Sequence, residues 1–321
     1  MRATGFLALL SAGVLLAAEG SFERTLKVNG PVDLDVKSGA GSVTVRAGSA
    51  GGVRVYGKIR VHSRRLSESE AQDRVRRLEA NPPVEQAGNV IRIGEIEDRE
   101  LRKHTSISFE ITTPPDTRLK AHTGSGSQTI DGIAGPVDAG TGSGNLILSA
   151  IGDRVTASTG SGSIELRDIK GIVRANTGSG AIRADAIAGA FRGSSGSGSI
   201  RVSQTASGDV DIGTGSGSIE ITAARAGLRA HSGSGSISID GDPKGPWKLD
   251  VASGNIRARL PAEASFDLRA STGSGSISID HPLTVQGQIG RRHVQGRVRS
   301  GRRPGRPQYG LRQHHDTIIS V

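Results

Sequence analysis

The residues of this chain that could do chemistry at fixed spacing are glycine and serine. Gly-Ser-Gly recurs at Gly124 and Gly126, Gly142 and Gly144, Gly160 and Gly162, Gly178 and Gly180, Gly196 and Gly198, Gly215 and Gly217, Gly233 and Gly235, and Gly273 and Gly275, with Ala252-Ser-Gly254 as a worn copy. A glycine-rich turn cradles phosphate when Lys-Ser/Thr and a helix N-terminus follow it. Neither follows here, and nine copies of one loop read better as structural corners. The serines invite a nucleophile, but none stands in Gly-x-Ser-x-Gly and no His or Asp is marked out as its base. Calcium rolls use Gly-Gly-x-Gly-x-Asp, and that aspartate is absent; Asp131, Asp168, Asp185, Asp240 and Asp280 form no strict ladder and read as solvated turn acids. His314-His315 could bind a metal only nonspecifically. With no cysteine, disulfides, thiolate metal sites and a lipidated cysteine are excluded. No catalytic residue, cofactor or metal ligand is therefore expected.

The elements that position these turns follow from the residues around them. The first glycines step by eighteen residues from Gly124 to Gly196, then by nineteen to Gly215, and a fixed period of this kind indicates a stack of one small unit. Behind each turn apolar residues alternate with polar ones, as in Ile164 and Leu166, Ile182 and Ala184, Ile200 and Val202, Ile219 and Ile221, and Ile237 and Ile239. That is a strand with one buried face. A second strand precedes each turn, with inward positions at Leu119, Val137, Val155, Val173, Phe191, Val210, Leu228, Trp247 and Leu268 and small residues two further on. Eighteen residues are too few for a helical crossover, since a βαβ unit needs about thirty. The pattern predicts an all-β, parallel β-solenoid, with coils stacked at about 4.8 Å. A hairpin meander is the competing arrangement, and like residues recurring as columns favour the solenoid. Glycine suits the corners through positive φ or close backbone approach, and their Ser and Thr can bond neighbouring backbone groups or one another between coils. His122 and His231 share one outward column six coils apart, too far to share a metal. Only eight aromatics are present, and Phe191 and Trp247 fall in buried columns, leaving few rings for sugar stacking.

Taken in order, residues 1–20 combine Arg2, an apolar run and small residues before Glu19, which reads as a signal peptide cut near Ala18 or Gly20. After cleavage no integral membrane span is expected, and the product belongs in the periplasm, on the cell surface or outside the cell. The solenoid domain is placed at residues 21–290. Its first coil is Leu34 and Val36, the corner Gly39-Ala40-Gly41, then Val43 and Val45. An insertion follows at about residues 47–118, with strands through Val53–Val61, Val90–Ile93 and Ile107–Ile111. It also holds one short helix, started by Ser67-Glu-Ser-Glu70 and ended at Asn81-Pro82. It reads as elaborated coils with the helix on the side or end. Regular coils occupy residues 119–280. Residues 291–321 form a basic tail of eight arginines against Asp316 alone, seven of the net ten positive charges.

These motifs resemble the bacterial β-strand-repeat family of unknown function labelled "putative adhesin", over roughly residues 22–290. The resemblance rests on the leader, the Ser38-Gly-Ala-Gly-Ser42 coil, the helix-bearing insertion, Thr113-Pro-Pro-Asp116 and the Gly-Ser-Gly array. It implies an extracytoplasmic protein. Relatives close with one more Thr-x-Ser-Gly-x-Ile coil, where this chain has an Arg/Pro/Gly/His/Gln mixture from Arg302 to His315. The tail is thus expected to be disordered, or a last coil read out of frame. The expected function is a non-catalytic binding, adhesin-like or structural module with an unidentified envelope protein or glycan as partner. Nucleic acid is not expected as a partner, because the arginines lack interleaved aromatics. The alternatives are a glycan-processing enzyme with a groove on the insertion, or an accessory part of an envelope-stress response.

Overall fold

A computed structural model of the chain describes residues 17–299 except residues 50, 63–65, 262–263 and 281–283. Residues 1–16, most of the expected leader, and residues 300–321 of the basic segment lie outside the described residues.

Two sheets enclose one core. The first runs Ala17–Lys27, Gly52–His62, Thr105–Thr113, Val43–Ala47, Gln128–Asp131, Leu146–Ile151, Ile164–Ile169, Ile182–Ile187, Ile200–Gln204, Ile219–Ala224, Ile237–Gly241, Ile256–Arg259 and Ile277–Ile279. The second runs Thr284–Ile289, His293–Arg299, Phe266–Ser274, Trp247–Ser253, Leu228–Ser234, Val210–Thr214, Phe191–Ser195, Val173–Thr177, Val155–Thr159, Val137–Thr141, Arg118–Thr123, Asp33–Ser38, Val90–Ile93 and Val84–Ala87. Successive coils are parallel and in register: Ile164 lies opposite Ile182 and Ile182 opposite Ile200, while Val173 lies opposite Phe191. The chain is therefore the predicted parallel β-solenoid, held by columns of fully buried side chains that each contribute about 1.5–3 kcal/mol. Leu34 and Val36 pair with Leu119 and Ala121, and Val43 with Gln128, so the first coil stacks directly on the array across the insertion.

A third buried column was not anticipated. Ile133, Ile151, Ile169 and Ile187 point inward, each preceded by a residue at positive φ: Gly132, Ala150, Asp168 and Ala186. That left-handed residue turns the strand end back towards the core, so the inward positions fall out of step with period two.

The insertion departs from elaborated coils. Gly52–His62 pairs antiparallel with Thr105–Thr113, and Ala17–Lys27 adds antiparallel outside it. Val84–Ala87 and Val90–Ile93 form a hairpin on the second sheet. Helix Glu68–Ala80 opens on the predicted capping box and buries Ala71, Val75 and Leu78. Val75 fits over Gly20, where a Cβ would collide with it. A second helix, Arg99–Arg102, was not expected; it is one turn capped by Asp98. After the last coil, Thr284–Ile289 and His293–Arg299 form a hairpin against Phe266–Ser274, so the first residues of the basic segment extend the sheet. Among the described residues no helix is long and apolar enough to cross a membrane.

Candidate functional site

The repeated corner is built from three residues with separate duties. The Thr or Ser before each Gly-Ser-Gly is buried: Thr123, Thr141, Thr159, Thr177, Ser195, Thr214, Ser232 and Thr272 form one column. Thr159 Oγ1 accepts the N–H of Gly162 at 3.1 Å and donates to the carbonyl of Gly144, one coil earlier, at 3.0 Å. Thr141, Thr177 and Ser195 repeat the pair of bonds. These hydroxyls satisfy backbone groups that close packing would otherwise leave unpartnered. They do not bond one another and offer nothing to a ligand.

The second glycine of each corner lies against the coil before it. A Cβ on Gly144, Gly162, Gly180 or Gly198 would strike the carbonyl of Gly126, Gly144, Gly162 or Gly180. Most of these glycines do not use positive φ; Gly235 and Gly275 do. Close backbone approach, of the two reasons that suit glycine here, fixes the corner.

The central serines face outward. Ser125, Ser143, Ser161, Ser179, Ser197, Ser216 and Ser234 are exposed in one line, continued by Ser253 and Ser274, at the coil spacing of about 4.8 Å. Beside them runs a second exposed line through Ser127, Asn145, Ser163, Ser199, Ser218, Ser236 and Asn255. Some of these accept a backbone N–H from the next coil, as Ser127 Oγ does from Asn145 at 3.1 Å and Asn145 Oδ1 from Ser163 at 2.9 Å. A serine so engaged keeps its proton to donate. The edge is thus a rigid double row of hydroxyl and amide groups held in register by the buried column behind it.

The other candidate residues are scattered. His122 and His231 share the predicted outward column, and His122 lies 4.0 Å from Asp138. Asp131 accepts a bond from Ser149, Asp185 pairs with Arg183 at 3.2 Å, and Asp280 with Arg259 at 3.5 Å. Among the described residues no group of three His, Asp or Glu converges as metal ligands do. An acid-lined hollow of about 460 Å³ does lie between helix Glu68–Ala80 and strand Ala17–Lys27, beside Glu19, Glu68 and Glu79. Glu19 is bound by Arg60 at 2.8 Å and faces Lys58 at 3.6 Å. The Arg60 hydrogen bond, with these two charges, holds its carboxyl below the usual carboxylate range. A general acid needs the opposite shift. Glu79 accepts the N–H of Ser21 at 2.9 Å. Glu79 thus fastens the helix to strand Ala17–Lys27, and Glu19 fastens that strand to strand Gly52–His62.

The family model described as Toastrack DUF4097 matches residues 33–318. No curated protein matches the chain. The fold is similar to a solved "putative adhesin" from Parabacteroides distasonis at 12% identity, with 81% of this chain and 97% of that one covered and a TM-score of 0.39. It is also similar to a "putative lipid binding protein" from the same organism at 13% identity, covering 81% and 97%, TM-score 0.37. A "putative cell adhesion protein" from Clostridium sporogenes is 15% identical, covering 64% and 99%, TM-score 0.35.

Proposed function

We propose, on the premise that this chain belongs to the Toastrack family, that it is an exported, non-catalytic binding module whose serine edge engages an envelope protein or glycan. The observation that carries the reading is the double row of exposed hydroxyl and amide groups repeated coil after coil. A single exposed serine binds weakly. A row held in fixed register engages a repetitive partner at many points, and after the first contact each further one is intramolecular, so modest contacts add. Rigidity matters because the side chains of the edge lose little freedom on binding. Export is supported by the leader pattern of residues 1–18.

Two measurements test this. Cell fractionation of the full chain should place it outside the cytoplasm, and replacing Leu9 and Leu10 with Arg should retain it inside; a cytoplasmic native protein overturns export. Retention on isolated envelopes should then fall in steps as Ser125, Ser143, Ser161, Ser179 and Ser197 are changed to Ala one after another. Unchanged retention in the fivefold variant, with an unaltered circular dichroism spectrum, overturns the edge as the binding surface.

A further inference from the structure

The outer face of the second sheet carries a line of cations of which only Lys248 has an acid within 4.0 Å among the described residues. Arg174, Arg192, Asp211, Arg229, Lys248 and Arg269 occupy one outward column, each opposite the next. Five of the six are basic, and three neighbouring pairs place like charge against like. Such pairs destabilise a sheet. The first sheet also sets Arg183 opposite Arg201, but there each arginine has an acid: Arg183 pairs with Asp185 along its strand, Arg201 with Glu220 in the next coil, and Arg167 with Glu165 along its strand. Arg174, Arg192, Arg229 and Arg269 make no ion pair within 4.0 Å among the described residues.

The acids on this face are partly occupied. Asp267 binds Arg297 at 3.1 Å, Asp209 accepts the N–H of Gly227 at 3.0 Å, and Asp250 accepts Ser271 Oγ at 2.6 Å and lies 3.6 Å from Lys248. Asp211 alone interrupts the line. Towards the C-terminal end the column borders an open groove of about 590 Å³. Arg229, Lys248 and Arg269 stand among its walls with the exposed Pro246, while the side chains of Leu228, Trp247 and Leu268 in the same strands are buried on the inner face.

We propose that this column is a binding site for an acidic polysaccharide of the polyuronate class, lying along the solenoid axis. An extended polyuronate carries one carboxylate per sugar, so its charges recur on the scale of the coil spacing, about 4.8 Å. The guanidinium forks of Arg229 and Arg269 match carboxylates in bidentate fashion. A membrane is the poorer fit, since the cations form a line rather than a field and no apolar rim stands ready to insert. The site lies on a sheet face, away from the serine edge, and needs only the folded solenoid.

The test uses the full chain, polygalacturonate, and for comparison neutral amylose, single-stranded DNA and phosphatidylglycerol vesicles, by titration calorimetry. Polygalacturonate should bind more tightly than all three and weaken as salt rises. The Arg229→Gln/Lys248→Gln/Arg269→Gln variant should bind at least tenfold more weakly, while Arg183→Gln/Arg201→Gln on the first sheet changes affinity less than twofold. Relief of like-charge opposition should also raise the melting temperature of the triple variant. A tail variant, Arg302→Gln/Arg303→Gln/Arg306→Gln/Arg312→Gln, should lose less than the triple variant. No binding, tighter binding to DNA or vesicles, full affinity in the triple variant, or an equal or larger loss in the tail variant each overturns the proposal. Failure here with intact serine-dependent envelope retention would remove this site and leave the edge reading standing.

Discussion

The two corners of each coil obey different rules. At the Gly-Ser-Gly corner the same three residues recur, because any Cβ on the second glycine would meet the carbonyl of the coil before it and because the Thr or Ser must reach both glycines. At the opposite corner glycines such as Gly171 and Gly189 also lie against the preceding coil, but no fixed triplet recurs, and a left-handed residue before an inward side chain, as in Ala150-Ile151 or Asp168-Ile169, makes the turn. Length variation collects there. The register shifts between Ala184 and Ile187 and between Ile221 and Ala224 lie at that end of their strands. The insertion between Ala47 and Arg118 leaves and re-enters by the same side. One corner keeps the period, and the other accepts additions.

The contrast can be broken most severely by adding a residue. A glycine inserted between Ser161 and Gly162 turns the following strand's inward side chains outward or uncouples the hydroxyl column. It should cost more than about 4 kcal/mol, read as a collapse of the urea midpoint. The same glycine after Ser207, at the opposite corner, should cost less than about 0.6 kcal/mol. Next in size, Gly162→Ala should lose about 3 kcal/mol by forcing two coils apart. Gly213→Ala, where a Cβ meets nothing within 4 Å, should be neutral or gain about 0.5 kcal/mol. Thr159→Val strands the N–H of Gly162 and the carbonyl of Gly144 and should cost about 2 kcal/mol, with Thr159→Ser restoring most of it.

Two smaller effects sharpen the other side. Ala186 sits at φ 58°, where an L side chain is disfavoured, so Ala186→Gly should raise stability by about 0.5 kcal/mol after the unfolded chain's extra freedom is set against the relief. The insertion's helices depend on carboxylates. Glu70 is held below its ordinary range by the hydroxyl and N–H of Ser67, and Asp98 by the N–H groups of Leu101 and Glu100. A carboxyl lowered in the folded state supports it above the ordinary range and ceases to as pH falls through the folded value. Acid should therefore fray the helical signal first, while the glycine corner, with no titrating group, holds its strand signal. Circular dichroism at two wavelengths during acid titration checks the order.

Much of this was legible in the residues, and what was not has a physical cause. The Ile164, Ile182 and Ile200 column, the first coil at Leu34 to Val45 and the cap at Ser67 and Glu70 follow from spacing alone. The Ile151, Ile169 and Ile187 column escaped because each lies five residues beyond the first inward position, an odd offset that only a left-handed residue between them can turn inward. Strand Ala17–Lys27 escaped because few apolar residues mark it, with Phe22 packing where Gly57 leaves room. The hairpin of Thr284–Ile289 and His293–Arg299 was hidden by glutamine, glycine and arginine. The serine edge could be foreseen as Ser- and Thr-rich, but its division into a buried column and an outer row depends on which way each hydroxyl turns.

The hydroxyl column also gives the stack a direction. Thr123, Thr141, Thr159 and Thr177 each donate to a carbonyl of the preceding coil and accept from their own, so a newly completed coil finds its acceptor already in place on the one before. A chain emerging N-terminus first can thus lay down rungs vectorially, each rung serving as template for the next.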